Sequence, residues 1–334
     1  MRSCAPALRI SAAFGYPLAT SMTRVVALVG PTGSGKTELS LDLAERWNAE
    51  IVNADSRQIY RRLDIGSAKP TPAQQARVPH HLIDVVEPNE PFDCARYREL
   101  ALTAIADITR RGKRVLIVGG TGLYIKVLLR GVFSGPPRDP ELRARLAAEE
   151  AADPGSLHRR LREVDPVTAA RRHPHDHVRL IRALEVFALT GRPISAWQAA
   201  HGFADTPFES LLLGLELPRV ALYARINARG AAMVRDGLVD EVQRLYAAGF
   251  DSRLPALCSL GYREIGEYVR GECELPAALA HMAQATRRFA KRQLTWFRAD
   301  PQVVWCAPDP AVLQRAIEAF WGTPASADAR AGSR

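Results

Sequence analysis

Val25-Val26-Ala27-Leu28-Val29-Gly30-Pro31-Thr32-Gly33-Ser34-Gly35-Lys36-Thr37 reads as a strand running straight into a phosphate-binding P-loop. The run from Val25 to Val29 is short, apolar and rich in β-branched residues, as a strand buried on both faces requires. The eight residues Gly30, Pro31, Thr32, Gly33, Ser34, Gly35, Lys36 and Thr37 then match G-x-x-x-x-G-K-T. Glycines let successive backbone N–H groups curl around anionic oxygens. Lys36 adds a point charge, and Thr37 places a hydroxyl where Mg²⁺ bridges to phosphate. Behind the loop, Leu39, Leu43, Ala44 and Trp47 fall on one face of a helix. A pyrophosphate or polyphosphate is therefore expected on Gly30–Thr37, with Mg²⁺ on Thr37.

Working outward, Glu50–Asn53 reads as a second strand and Leu82–Val86 as a third. Tyr97, Leu100, Ala101, Ala104, Ile105 and Ile108 are spaced for one helical face, and Gly112 stops that helix before a strand over Arg114–Val118. Strands alternating with helices at this spacing imply an α/β fold, a P-loop NTPase-like parallel sheet with helices on both faces. Ligands of such sheets bind beyond the carboxyl ends of the strands, where the P-loop, the segment from Asp55 and Gly119-Gly120-Thr121 all fall. From Gly131 to about Phe208 the texture changes to short amphipathic helices over Glu141–Glu150, Ser156–Val164 and Arg179–Leu189. The resulting division is a core of 22–133 and 209–321, the latter mostly helical, with a helical insertion lobe at 134–208. An extension or misassigned start occupies 1–21 and a solvated tail 322–334.

The chain of 334 residues carries 45 basic and 36 acidic residues, a net charge of +9. A basic surface suits a polyanion such as nucleic acid, although only five of the cations are lysines, and a composition rich in arginine weakens that signal. Five scattered cysteines without a C-x-x-C pair suit free thiols in a reducing cytosol. No apolar run nears the roughly eighteen residues of a membrane span. His173, His175 and His177 alternate in a proline-containing turn, which reads as a surface turn and not as a zinc site.

Asp55 is the first candidate base. A carboxylate at a strand end beside a phosphate loop can take a proton from an attacking group or hold Mg²⁺ through water. Ser56, Arg57 and Gln58 after it supply hydrogen-bonding groups with little packing value. An ATP-hydrolysing P-loop protein would also show an apolar strand ending in a metal-binding acid. The strand to Val118 ends in Gly119-Gly120-Thr121 instead, with Asp84 the only loose substitute, which argues against plain ATP hydrolysis.

These segments together resemble the bacterial tRNA dimethylallyltransferase family. The likeness rests on Gly30–Thr37, Asp55–Tyr60, Asp64–Pro70, His80–Asp84, Val118–Tyr124, Arg179–Glu185, Gly261–Glu264 and Ala290–Trp296, in order over roughly residues 24–306. The resemblance implies transfer of a dimethylallyl group from dimethylallyl diphosphate to N6 of the adenosine 3′ of the anticodon, in tRNAs reading codons that begin with U. It implies Mg²⁺ as cofactor, a tRNA anticodon stem-loop as partner, and a cytoplasmic monomer with no membrane association. Asp55 would be the base, assisted by Lys36, Thr121 and Arg225. Carried over motif by motif, tRNA contacts would fall on Asp55, Ser56, Arg57, Gln58 and Thr121, on Arg143, and on Val178, Arg179, Leu180, Ile181 and Arg182. A last set would be Cys258, Ser259, Leu260, Gly261, Tyr262 and Arg263. Arg287, Arg288, Lys291 and Arg292 form a further basic stripe at helical spacing.

Read without that likeness, the residues leave other functions open. The same loop would serve a kinase of a nucleotide or small metabolite, a prenyltransferase acting on free adenine nucleotides, or a nucleotide-dependent RNA-binding switch without group transfer. Arg179 and Arg182 also read as a solvated helix face, and Tyr262 as a core aromatic.

Overall fold

The computed structural model describes residues 22–133, 135–203 and 205–322. The extension expected over 1–21 and the tail from 323 onward lie outside them. The first half of the core runs β1 (Thr23–Val29), α1 (Lys36–Trp47), β2 (Ala49–Asn53), α2 (Pro72–Arg77), β3 (His80–His81), α3 (Cys94–Arg110), β4 (Arg114–Gly119) and α4 (Gly122–Arg130). Five helices follow: α5 (Pro140–Ala152), α6 (Ser156–Val164), α7 (Pro166–Ala169), α8 (His177–Thr190) and α9 (Ile194–His201). The chain then returns through β5 (Phe208–Leu215), α10 (Arg219–Arg235), α11 (Leu238–Ala247), α12 (Tyr262–Val269), α13 (Leu275–Arg298), β6 (Val303–Cys306) and α14 (Pro310–Trp321).

All ladders of the sheet are parallel, and the strand order is β3-β2-β4-β1-β5-β6. Alternation along β1 shows why helices cover both faces. Val25, Ala27 and Val29 pack with Tyr97, Ala101, Ile105 and Ile108 of α3 and with α4, while Val26 and Leu28 pack on the other side with α1 and with Leu313 and Ile317 of α14. Strand β1 therefore has no solvent face, consistent with its uninterrupted apolar sequence.

One sequence expectation needs correction. Leu82–Val86 is not a ladder strand; the third strand is His80–His81. Leu82 and Asp84 adopt left-handed φ of 64° and 56°, which breaks the pleat, and Val85 and Val86 donate to the Ile59 carbonyl in a single bridge beside Tyr60. The second half of the core supplies, besides its helices, strands β5 and β6. Leu211, Leu212, Leu213 and Leu215 are good helix formers, but the slot beside β1 overrides propensity. Helices α10 and α11 are separated at Asp236-Gly237, where Gly237 takes φ 101°.

Helices α5 to α9 enclose their own apolar cluster around Leu146, Leu157, Leu161, Leu180 and Val186. Buried Glu185 organises its edge, accepting from the Asp139 N–H, Arg143 and Arg182. A second organising carboxylate is Glu241 on α11, 4% exposed. It accepts the N–H groups of Asp64, Ile65 and Gly66 and, at 2.6 Å, the Tyr262 hydroxyl. Four donors thus converge on one buried anion and order the loop after Tyr60. Glu241→Ala would leave all four unmet, and is expected to cost about 3–5 kcal/mol in urea unfolding. A loss under about 1 kcal/mol would show that the loop is held by other means.

Candidate active site

The site gathers at the carboxyl ends of three adjacent strands: the P-loop after β1, Ala54–Gln58 after β2 and Gly119–Thr121 at the end of β4. Close approach explains the glycines of the last segment. A side chain on Gly119 would collide with the Ala54 backbone, one on Gly120 with Gln293 and one on Gly122 with the Trp296 ring. Thr121 joins two of the segments, its N–H donating to the Ala54 carbonyl at 3.1 Å and its Oγ1 accepting the Ser56 N–H at 3.0 Å.

The P-loop is poised for an anion. Gly33 and Gly35 take φ of 83° and 94°, and Lys36 opens α1, so the helix N-terminus faces the loop's concavity. The Lys36 ammonium donates to the loop's own Gly30 and Pro31 carbonyls at 3.0 and 2.8 Å. Burial draws its pKa down to about 8; Asp55 opposes that shift and Arg229 adds to it. The Ser34 hydroxyl is buried with no hydrogen-bond partner among the described residues.

Asp55 is held for use. Its N–H donates to Asn53 Oδ1 at 3.1 Å and its Oδ1 accepts the Arg57 N–H at 2.8 Å, which leaves Oδ2 without a partner among the described residues. It lines one small cavity with Lys36, Thr37, Ser40, Asn53 and Gln58. Thr37 and Asp55 give that cavity two hard oxygen donors, a set that fits Mg²⁺ when phosphates supply the other ligands. No cluster of three or more His, Cys, Asp or Glu among the described residues could hold a metal by itself. Arg57 reaches across to the Pro255 carbonyl, and Gln58 Nε2 donates to the Ala68 carbonyl at 3.0 Å.

Helix α10 lies along the loop, with Ile226 and Leu222 against Gly33 and the Arg225 guanidinium beside Gly35. One turn on, Arg229 donates to Thr32 Oγ1 at 3.3 Å, its only hydrogen bond among the described residues. Burial lowers its pKa and Asp55 opposes the shift. A desolvated guanidinium with most donors free marks a place for an anion. Sequence reasoning named Arg225 and missed Arg229, although the i, i+4 spacing on one helix was there to be read. It also missed His80, which lines the same cavity, and Gln293. Asp84 pairs with Lys69 at 2.5 Å and is not an acid of the phosphate site.

The residues assigned to tRNA divide by exposure. Val178, Arg179, Cys258 and Arg263 are exposed, and Leu260 and Ile181 half-buried. Leu180 is fully buried, Tyr262 is 1% exposed and Ser259 8% exposed. Side chains this buried offer a partner almost no surface in this conformation. Tyr262 is the core aromatic on Glu241 described above, and Gly261 turns the chain at φ 87°. Arg143 and Arg182 remain partly exposed but are bound to Glu185. On α13 Arg288, Lys291 and Arg292 are exposed, whereas Ala290, Gln293 and Phe297 are buried.

A P-loop sheet whose β4 ends in Gly-Gly-Thr instead of a metal-binding acid, and whose loop shares a cavity with a half-unpaired carboxylate, has the makings of a phosphate-handling group-transfer protein. The chain matches the IPP transferase family over residues 58–300, and it belongs to that family. It is 53% identical over 285 residues to the tRNA dimethylallyltransferase of Geobacter metallireducens, covering 85% of this chain and 92% of that one. With the tRNA dimethylallyltransferase of Anaeromyxobacter dehalogenans it shares 50% identity over 298 residues, 88% of this chain and 99% of that one. Among solved structures it resembles the tRNA isopentenylpyrophosphate transferase of Bacillus halodurans, with TM-score 0.65, 38% identity and coverage of 90% and 95%. It also resembles a eukaryotic dimethylallyltransferase acting on tRNA, with TM-score 0.75, 27% identity and coverage of 92% and 77%.

Proposed function

We propose that this chain is a tRNA dimethylallyltransferase, moving the dimethylallyl group of dimethylallyl diphosphate to N6 of the adenosine 3′ of the anticodon. The observation that carries the reading is the meeting of an anion-poised P-loop with the free Oδ2 of Asp55 in one cavity. The loop amides, Lys36, Arg225 and Arg229 hold the diphosphate and stabilise the charge it gains on leaving. The N6 lone pair attacks the allylic C1, the C1–O bond breaks with its electrons going to diphosphate, and the N6 proton passes to Asp55. Thr37 would hold Mg²⁺, which supplies further neutralisation of the diphosphate when bound. Thr121 fixes the segment that carries Asp55.

The adenine must leave its stack to reach a carboxylate at the floor of the site, and Ser56 to Gln58 border its path. Exposed Arg288, Lys291 and Arg292 offer a phosphate-binding stripe for the stem-loop, and Val178 and Arg179 on α8, with Cys258 and Arg263 before and on α12, are further exposed positions for it. No helix among the described residues is long and apolar enough to cross a membrane; action as a cytoplasmic monomer completes the proposal. A kinase is disfavoured because β4 ends in Gly119-Gly120-Thr121, without the acid that holds a catalytic metal in phosphoryl transfer. Incubation with dimethylallyl diphosphate and an unmodified anticodon stem-loop, followed by nucleoside mass spectrometry, should show one prenyl increment on a single adenosine. Prenylation of free AMP in preference to the stem-loop, or phosphoryl transfer from ATP, would refute the assignment.

A further inference from the structure

Gln293 lies among arginines and a lysine near the C-terminal end of α13, yet it is 6% exposed. Its Oε1 accepts the Thr32 N–H and its Nε2 donates to the Gly120 carbonyl, both at 2.9 Å. The partners fix the orientation of the amide, since an N–H meets only an acceptor and a carbonyl only a donor. One side chain therefore spans from the phosphate loop to the turn that ends β4. From Gly120 the connection continues: Thr121 Oγ1 accepts the N–H of Ser56, the neighbour of Asp55. Gly120 is the partner this geometry needs, because any side chain there would strike Nε2. Three residues along the helix, Trp296 lies over Gly122 in the same way.

A buried amide is costly unless both its ends are paired, and a leucine would pack at this helix position with less risk. Gln293 is instead paired at both ends of its amide, to the two segments whose spacing governs the reaction. Its hold on the Thr32 N–H also leaves the loop's later amides, toward Thr37, as the ones that face an anion. We propose that Gln293 is a positioning residue, a latch that sets the distance between the loop-bound diphosphate and the Asp55–Thr121 segment without itself touching either substrate. The proposal rests on the reading that the P-loop holds the donor's diphosphate.

Steady-state kinetics on a double-mutant cycle test it. Gln293→Ala breaks the latch from one end and Gly120→Ala from the other. Each is expected to lower kcat/KM by about tenfold to a hundredfold, with a raised KM for dimethylallyl diphosphate and a melting transition that remains cooperative. In the double variant the vacated space accepts the new methyl, so the loss should not exceed that of the worse single variant. Should Gln293→Ala fail to fold, Gln293→Met keeps the volume, removes both hydrogen bonds and is read in its place. The proposal is overturned if the two losses multiply, if the Gln293 variant keeps kcat and KM within about twofold of wild type, or if it only lowers the melting temperature. Lys36→Ala is measured alongside. If it leaves donor affinity unchanged, the diphosphate reading has failed and the latch with it; if it weakens the donor while the latch variants do not, only the latch has.

Discussion

Asp55→Asn lowers the rate of prenyl transfer by about a hundredfold to ten-thousandfold, the usual range for loss of a positioned general base, and leaves dimethylallyl diphosphate bound with little change. The separation follows from geometry. Asp55 follows β2, fixed by Asn53 and the Arg57 N–H, and lines the cavity with its Oδ2 unpaired among the described residues. The anion-holding groups belong to the P-loop and α10. Asparagine is nearly isosteric and can still accept the Arg57 N–H through its carbonyl, so the segment keeps its shape and loses only the acceptor for the N6 proton. Single-turnover transfer and calorimetric binding of the donor make the comparison. A transfer rate within about threefold of wild type would place the base elsewhere.

Lys36→Ala has the opposite signature. It removes a buried cation aimed at the diphosphate and should weaken donor binding by about a hundredfold, with transfer falling alongside. Wild-type enzyme carries a pH mark of the same residue. Burial brings the free-enzyme pKa of Lys36 down to about 8 from 10.5, so the charged form that attracts diphosphate is full below pH 8 and is lost as pH rises through it. Affinity for the donor should therefore fall above pH 8, and Lys36→Arg should abolish that limb because a guanidinium stays charged. Donor affinity that holds level to pH values near the ordinary 10.5 would remove Lys36 from the binding account.

How far the sequence led depends on which interactions were local. The P-loop, the helix behind it and Asp55 at the end of β2 were legible because each is specified within a few residues: glycines for the turn, an apolar stripe at helical spacing, a strand ending in polar groups. Strands β5 and β6 were not, since their leucines, valines and cysteine acquire strand geometry only from the neighbours they pair with. Leu82–Val86 misled in the reverse sense, for its apolar, β-branched composition suits a strand while Leu82 and Asp84 turn left-handed.

The same rule holds for the site. Residues whose chemistry is local to the phosphate loop were found, whereas Arg229 and Gln293, the latter inside a segment the sequence had singled out, act across 197 and 261 residues of sequence on the same Thr32. Tyr262 shows the limit of carrying a segment over whole: Cys258 and Arg263 face outward, but the tyrosine between them is committed to Glu241. Periodicity alone did not separate the two faces of so short a turn.

The most direct test is a crystal structure of the protein with an unreactive thio-analogue of dimethylallyl diphosphate. The diphosphate should lie in the concavity of Gly33–Thr37, within hydrogen-bond reach of Lys36 Nζ, which would have left the Gly30 and Pro31 carbonyls. The allylic carbon should face Asp55 Oδ2. An analogue seated with its anionic end away from that loop, or with Asp55 on the far side of the phosphates, would contradict the account.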